Sequence, residues 1–394
     1  MKKHLLDNID FIFCSFVPVG FEDYVAFFKK TFNNFTYLKF KFPHSKGGFT
    51  SSINDKELLT LPNMSNKFLY FLFLPINYFI FMTQVLVLLW RRPISNKRVF
   101  MGVNYMCTFY GLILKLFKRV DFVIYRVTDF FPLPKNGPYR TLNKIFYKID
   151  SFCLKKADSV WFTTEGHIIG REKYGYFNRK NRDYEIIPLG INAKKFMSNK
   201  ITKFNKYSLV YCGVISRYHM LDLLFEALED LKKEFPEIKL NLIGSGPDED
   251  YFRGLSVEKG LTKNVIFHGF VPEGRKFDTL MSNNLLGVAL YKNEEDFMKY
   301  TEPAKVKYYL GFGVPAIISD VPKIAKELDK ANVAIAVEND KESIVSVIRK
   351  FMLDSSLQKK YKDNIRSFVK TVDINIMLEE RLERTLDKFY RGCL

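Results

Sequence analysis

Within LYKNEEDFMKYTEPAKVKYYLGFGVPAIISD (290–320) an apolar strand gives way to a polar loop, a Pro-x-Lys turn, a helix, Gly-x-Gly-x-Pro and a second strand. Pro303 suits a first helical turn, where its fixed φ is already helical and its missing N–H is not needed. Lys305 falls in the same turn, so its ammonium adds to the positive end of the helix dipole and makes an anion site. Gly311, Gly313 and Pro315 stop the helix and turn the chain into the next strand. Three more glycine turns close apolar runs: Gly213, followed by Val214-Ile215-Ser216-Arg217; Gly244-Ser245-Gly246-Pro247; and Gly269. Without a Cβ, the backbone N–H at such a turn can approach a phosphate or a base. One glycine there is an ordinary turn residue; three in successive strands point to a phosphorylated ligand. The triplet Asp248-Glu249-Asp250 reads as a solvated helix start rather than a metal motif.

These residues need a scaffold that gathers strand ends. The first half of the chain alternates strand and helix: strands at 9–16, 98–104, 121–127, 159–164 and 184–190, helices around 24–32, 105–118 and 139–157. Continuous apolar runs such as IDFIFCSF are those of parallel strands covered on both faces. After the basic stretch 192–206 the pattern restarts, with strands at 208–214, 239–246, 264–270, 285–291, 315–320 and 331–337 and helices between them. The chain is expected to be α/β, with two Rossmann-like doubly wound domains. In such sheets ligands bind beyond the carboxyl ends of the strands, where the glycine turns lie. The tail from Glu342 reads as helical and ends in an amphipathic helix over 374–390.

The chain has 394 residues, 47% hydrophobic and 26% charged, which excludes a disordered segment or a disulfide-stapled miniprotein. Its formal charge of +18 is unevenly placed: residues 1–200 hold 31 basic and 14 acidic side chains, residues 201–394 hold 30 and 29. Five scattered cysteines without a C-x-x-C pair argue against a disulfide framework or a zinc site and for a reducing compartment. Acidic residues interrupt any signal-peptide core in MKKHLLDNIDFIFCSF, so a cytoplasmic protein is expected. From Phe68 to Trp90 there is no charged residue for 23 positions, flanked by Lys67 and Arg91-Arg92. Pro75, Asn77, Thr83 and Gln84 interrupt it, which favours buried or half-buried helices over an interfacial helix, and either over a true span. A nucleic-acid binder is disfavoured, because no recognition motif accompanies the scattered basic residues.

Together, VYCGVISRYHMLDLLFEAL, LNLIGSGPDEDYF, NVIFHGFVP and TEPAKVKYYLGFGVPAIIS resemble the donor-binding domain of GT-B glycosyltransferases, in the style of family 4 (group 1 type). ADSVWFTTEGHIIGREKYG (157–175) and YEIIPLGINAKKF (184–196) are similar to the end of their N-terminal domain and the hinge. The resemblance covers about residues 150–340. It implies an acceptor-binding domain over 1–195, a donor-binding domain over 196–373 facing it across a central cleft, and a helix at 374–394 returning to the first domain.

The activity implied is sugar transfer from a nucleotide-sugar donor to a glycan or lipid-linked acceptor, with no cofactor and no metal required. Residue by residue, Gly213 would face the diphosphate, with Arg217 and Lys305 as its charge partners. Gly244, Gly246 and the Phe270-Val271 turn would surround base and ribose, and Ser216, Glu302 and Tyr308 would complete the donor side. Asp129, after a middle strand of the first domain, would take a proton from the acceptor hydroxyl; the plain alternative is a turn cap before Pro132. Arg126 is expected to pack or pair, and the loop 17–24 and Glu165 to reach the cleft. His219 and His268 would lie near the donor, whereas His4, His44 and His167 are expected on the surface or in the core. The chain departs from the family where Tyr300 and Tyr308 stand in place of two glutamates and Val214 in place of an arginine. Those departures keep open a second reading, a catalytically degenerate partner or scaffold subunit. In the leading reading, the basic surplus and the uncharged 68–90 segment put the enzyme on the inner face of an anionic membrane.

Overall fold

The computed structural model describes residues 6–15, 21–41, 50–54, 56–60, 79–81, 83–91, 96–130, 132, 139–194, 205–293 and 296–391. The chain divides into two compact units, Met1–Pro188 with Asn375–Leu394, and Leu189–Ile374.

The first unit is built on β1 (Ile9–Ser15), β2 (Asn34–Lys41), β3 (Thr50–Ile53), β4 (Lys56–Thr60), β5 (Lys97–Val103), β6 (Phe122–Val127), β7 (Ser159–Phe162) and β8 (Glu185–Ile186). They form one sheet in the order β4-β3-β2-β1-β5-β6-β7-β8. The strands from β2 through β1 to β8 are parallel, and β3 and β4 add an antiparallel hairpin at the edge. Asn54, at φ +48°, turns that hairpin and is held to β2 by its N–H and its side-chain oxygen at Tyr37. The parallel strands are apolar on both faces because helices cover both: α1 (Glu22–Thr31), α2 (Asn104–Leu116), α3 (Tyr139–Lys156) and α4 (Glu165–Lys173).

The second unit has β9 (Ser208–Cys212), α5 (Leu221–Glu234), β10 (Lys239–Ile243), α6 (Glu249–Glu258), β11 (Val265–Gly269), α7 (Arg275–Ser282) and β12 (Leu286–Ala289). It continues through α8 (Ala304–Gly311), β13 (Ala316–Ser319), α9 (Ile324–Lys330), β14 (Ala334–Val337), α10 (Lys341–Leu353) and α11 (Ser355–Thr371). Its six strands are ordered β11-β10-β9-β12-β13-β14 and all parallel. Strand order reverses between β9 and β12, and at such a switch point the loops diverge to opposite faces and leave a crevice. Two apolar clusters cover the faces, one from α5, α6 and α10, the other from α7, α8, α9 and α11.

The last helix, α12 (Ile374–Arg391), belongs from Asn375 onward to the first unit. Thr385 Oγ1 accepts from Trp161 Nε1 at 3.1 Å, Phe389 packs on Phe122, and Arg381 pairs with Glu185 at 3.5 Å. No helix among the described residues is long and apolar enough to cross a membrane. Of the uncharged segment 68–90, residues 68–78 and 82 lie outside the described residues. Residues 83–91 are helical, burying Val85 and Leu89 while Val87 and Trp90 stay exposed. This is the pattern of a half-buried helix.

Candidate active site

The second unit's switch point brings β9 and β12 side by side, and their last residues meet the first turn of α8. Pro303 caps α8 and Lys305 follows one residue inside it. The Lys305 ammonium lies 4.5 Å above the Tyr211 ring and 5.1 Å from that of Tyr291, and donates to Tyr211 Oη at 3.4 Å. Among the described residues it has no carboxylate partner within ion-pair distance. Burial between the rings pushes its pKa down to about 7, slightly opposed by the Cys212 thiol. His219 sits by the same rings, 5.9 Å from Tyr211 and 5.7 Å from Tyr291, and burial with the Lys305 charge lowers it to about 3. A desolvated cation beside a neutral imidazole at a helix N-terminus is short of negative charge, and an anion supplies it.

Gly213 borders this space. At φ +148° it occupies backbone territory open to glycine, and a Cβ there would meet nothing closer than Tyr211 Oη at 3.6 Å and Lys305 at 3.7 Å. Its surroundings leave room for a ligand. Gly244 and Gly246 are glycines for another reason: added Cβ atoms would lie 2.0 Å from Gly213 O and 2.1 Å from Ile215 O. They let the loop after β10 press on the loop after β9, joined by Ile215 N–H to Ser245 O at 3.1 Å. Both therefore shape the site from behind.

Several residues expected to face the donor are otherwise engaged. The Arg217 guanidinium stacks 3.8 Å over Tyr251, and Asp248 accepts from the Arg217 N–H, so His219 rather than Arg217 accompanies Lys305. Ser216 is buried, and its hydroxyl accepts from Tyr218 N–H as a turn cap. Glu302 is 5% exposed, pairs with Lys307 at 3.1 Å and accepts from Leu189 N–H at 2.8 Å. Its carboxylate is thus committed to the unit's interior. Val271 is buried in the core, while Phe270, 80% exposed at the end of β11, offers a free aromatic face. Tyr308 is partly exposed and its hydroxyl stands 3.5 Å from Glu273, whose charge also reaches Cys212. Tyr300 is buried, and His268 bonds Asn241 at 2.8 Å. Asp248 and Glu249 open α6, and no group of three potential metal ligands is found among the described residues.

In the first unit, Asp129 lies two residues past the end of β6 and is exposed. Thr128 Oγ1 donates to its carboxylate at 2.9 Å. Desolvation by the surrounding protein raises its carboxyl pKa, while Thr128, Arg171 and Arg126 oppose the rise. Arg126 is fully buried and donates to the carbonyls of Trp161 and Ile187, a packing role between strands. Glu165 pairs with Arg179, and His167 is buried and held neutral. His4, His44 and residues 17–20 of the loop 17–24 lie outside the described residues.

Sequence reasoning did not single out Tyr211, Tyr291 or Glu273. Tyr211 is the penultimate residue of the run SLVYC and Tyr291 the last of VALY, and a large aromatic at a strand's carboxyl end was their available signal.

Residues 193–368 match the family model for glycosyl transferases of group 1. No curated protein sequence matches the chain significantly. Among solved structures, WaaG, a glycosyltransferase involved in lipopolysaccharide biosynthesis, is 16% identical with a TM-score of 0.66, over 94% of this chain and 98% of WaaG. Anabaena HepE, solved with UDP, is 11% identical with a TM-score of 0.62, over 96% and 99%. S. aureus TarM, also solved with UDP, is 14% identical with a TM-score of 0.55 over 73% of this chain, which spans 55% of TarM. The chain has the GT-B fold, and its residues 193–368 are those of a group 1 glycosyltransferase.

Proposed function

We propose that this glycosyltransferase binds a nucleotide-sugar donor on its second unit and moves the sugar, a hexose or close relative, to a glycan or lipid-linked acceptor. The observation that carries this reading is Lys305, a desolvated cation over Tyr211 and Tyr291 beside the open Gly213. The donor diphosphate would fit there, its charge met by Lys305 and the N-terminus of α8. Phe270 would stack the base, and Glu273 with Tyr308, 3.5 Å apart, would take the ribose side. The UDP complexes of HepE and TarM support a uridine nucleotide. As the acceptor oxygen bonds to the anomeric carbon, the bond from that carbon to the diphosphate breaks and the diphosphate leaves with its electrons. Asp129 takes the hydroxyl proton. The cation and the helix dipole stabilise the leaving group, so the reading needs no metal and no cofactor.

The acceptor side belongs to the basic first unit. Phe79, Trp90, Leu116 and Phe117 are exposed there, Trp90 rests edge-on against Phe117, and Arg119 lies 4.5 Å over the indole. Exposed apolar side chains with a guanidinium over the indole suit an anionic bilayer, which supports peripheral attachment at the inner membrane face and a role in polysaccharide or glycoconjugate synthesis. The test is sedimentation with vesicles of phosphatidylglycerol and phosphatidylcholine. Binding to the anionic vesicles that weakens several-fold in Trp90→Ala/Phe117→Ala is expected; equal binding by the variant removes this surface from the account. The donor part is tested by nucleoside diphosphate release across a panel of nucleotide sugars. Binding without release in any member would return the chain to the partner-subunit reading.

A further inference from the structure

Asp129 lies two residues past β6, and α4 packs against it and against Phe130. Arg171, 3% exposed, donates from Nη2 to the carbonyl oxygen of Asp129 at 3.1 Å and from Nη1 to that of His167 at 3.3 Å. Its guanidinium also lies 5.4 Å from the ring of Phe130, the next loop residue. Gly170 makes that approach feasible, because a Cβ there would sit 2.4 Å from the Phe130 ring. Behind Arg171 stands Asp150 on α3, 2% exposed, which accepts from Arg171 Nε at 2.8 Å and from the Tyr125 hydroxyl of β6.

A buried ion pair is a poor device for stability alone, since an apolar pair of similar volume does as well or better. Here one member reaches past its partner into the backbone of the residue carrying the candidate base. Asp150 fixes the fork of Arg171, and the fork fixes the loop. We propose that Arg171, held by Asp150, is a positioning residue for Asp129, setting the loop that carries the carboxylate and supplying the positive field it faces. The inference rests on the reading of Asp129 as the base. Among the described residues, the charged groups around Asp129 are Arg171 on α4 and Arg126 on β6, with Asp150 behind Arg171; the nearby His167 is neutral. Arg171 and Arg126 act against the burial that raises the Asp129 carboxyl.

The test follows the carboxyl carbons of 13C-labelled aspartates by NMR titration of the full chain, with Asp129→Asn assigning the resonance. The paired variant Asp150→Asn/Arg171→Gln removes both charges, so no buried ion is stranded. The Asp129 midpoint is expected to rise by about one pH unit, the low end for a carboxylate losing an adjacent guanidinium. An unchanged midpoint in the folded variant overturns the proposal. If the paired variant does not fold, Asp150→Asn alone keeps Arg171 and strips its counter-charge, and the Asp129 midpoint must then fall; a rise or no change overturns the proposal. Full nucleotide-sugar turnover by Asp129→Asn would instead remove the base reading, while leaving these titrations as they are.

Discussion

Lys305 makes donor binding a proton-uptake reaction. Alone, its ammonium titrates at about 7, since burial against Tyr211 and Tyr291 disfavours the charged form. A bound diphosphate reverses that, and the pKa returns toward or above the ordinary lysine value of about 10.4. Raising the pKa in the complex means that affinity is fully present below pH 7 and declines as pH rises through 7. Between pH 6 and pH 8 the apparent association constant falls about tenfold, or about 1.4 kcal/mol. His219, lowered to about 3, stays neutral throughout and adds nothing to the slope. The assay is isothermal titration with UDP-glucose, whose diphosphate diester does not titrate in this range, in buffers of different ionisation enthalpy. About half a proton is taken up per donor at pH 7. Lys305→Arg, charged at every pH, flattens the dependence. Wild-type binding that takes up no proton and is constant from pH 6 to 8 refutes the reasoning.

The same lysine burdens the folded state. Between pH 7 and 10.5 the folded chain binds fewer protons than the unfolded one, so Lys305 makes stability rise with pH there and costs most below pH 7. Lys305→Met is expected to raise the melting temperature by a few degrees at pH 6 and by almost nothing near pH 10, read by calorimetry; a lowered melting temperature at pH 6 contradicts this. Glu302→Gln breaks the buried pair with Lys307 and should cost about 3 kcal/mol in urea unfolding with donor KM unchanged. A raised KM at wild-type stability would restore a donor-facing Glu302. Gly246→Ala, which drives a Cβ against Ile215 O, is expected to destabilise the second unit by about 2 kcal/mol or more by the same measurement. Gly213→Ala, strained at φ +148°, should lower stability too but, unlike Gly246→Ala, also weaken donor binding in titrations of the folded variant; unchanged donor affinity would remove Gly213 from the site.

Local pattern made α8 legible: Pro303 caps it, Lys305 follows in its first turn, and Gly313, at φ +72°, ends it, while Gly311 is still helical. The parallel strands were legible for the same reason, being short apolar runs between turn residues. What escaped depends on partners distant in sequence. The box around Lys305 exists because β9 and β12 are neighbours, and strand order is not written in either strand. NFTYLKFK and the β3–β4 hairpin mix polar and apolar residues at a sheet edge, so their periodicity is weak. Arg217 and His219 are two positions apart in one turn, and only its path decides which joins Lys305. Glu302 reads as a loop carboxylate until Lys307 and Leu189 close around it. Gly244 and Gly246 show the limit most plainly, because close approach of backbone to backbone and of backbone to ligand select the same residue.

The central claim is that the Lys305 pocket binds the donor that this glycosyltransferase uses. Release of nucleoside diphosphate from a panel of UDP-, GDP-, ADP- and dTDP-sugars, measured for the wild type and for Lys305→Met, tests it most directly. The account predicts that at least one donor is turned over by the wild type, and that Lys305→Met, still folded, loses about a hundredfold or more of that rate. Equal release by the two proteins would contradict it.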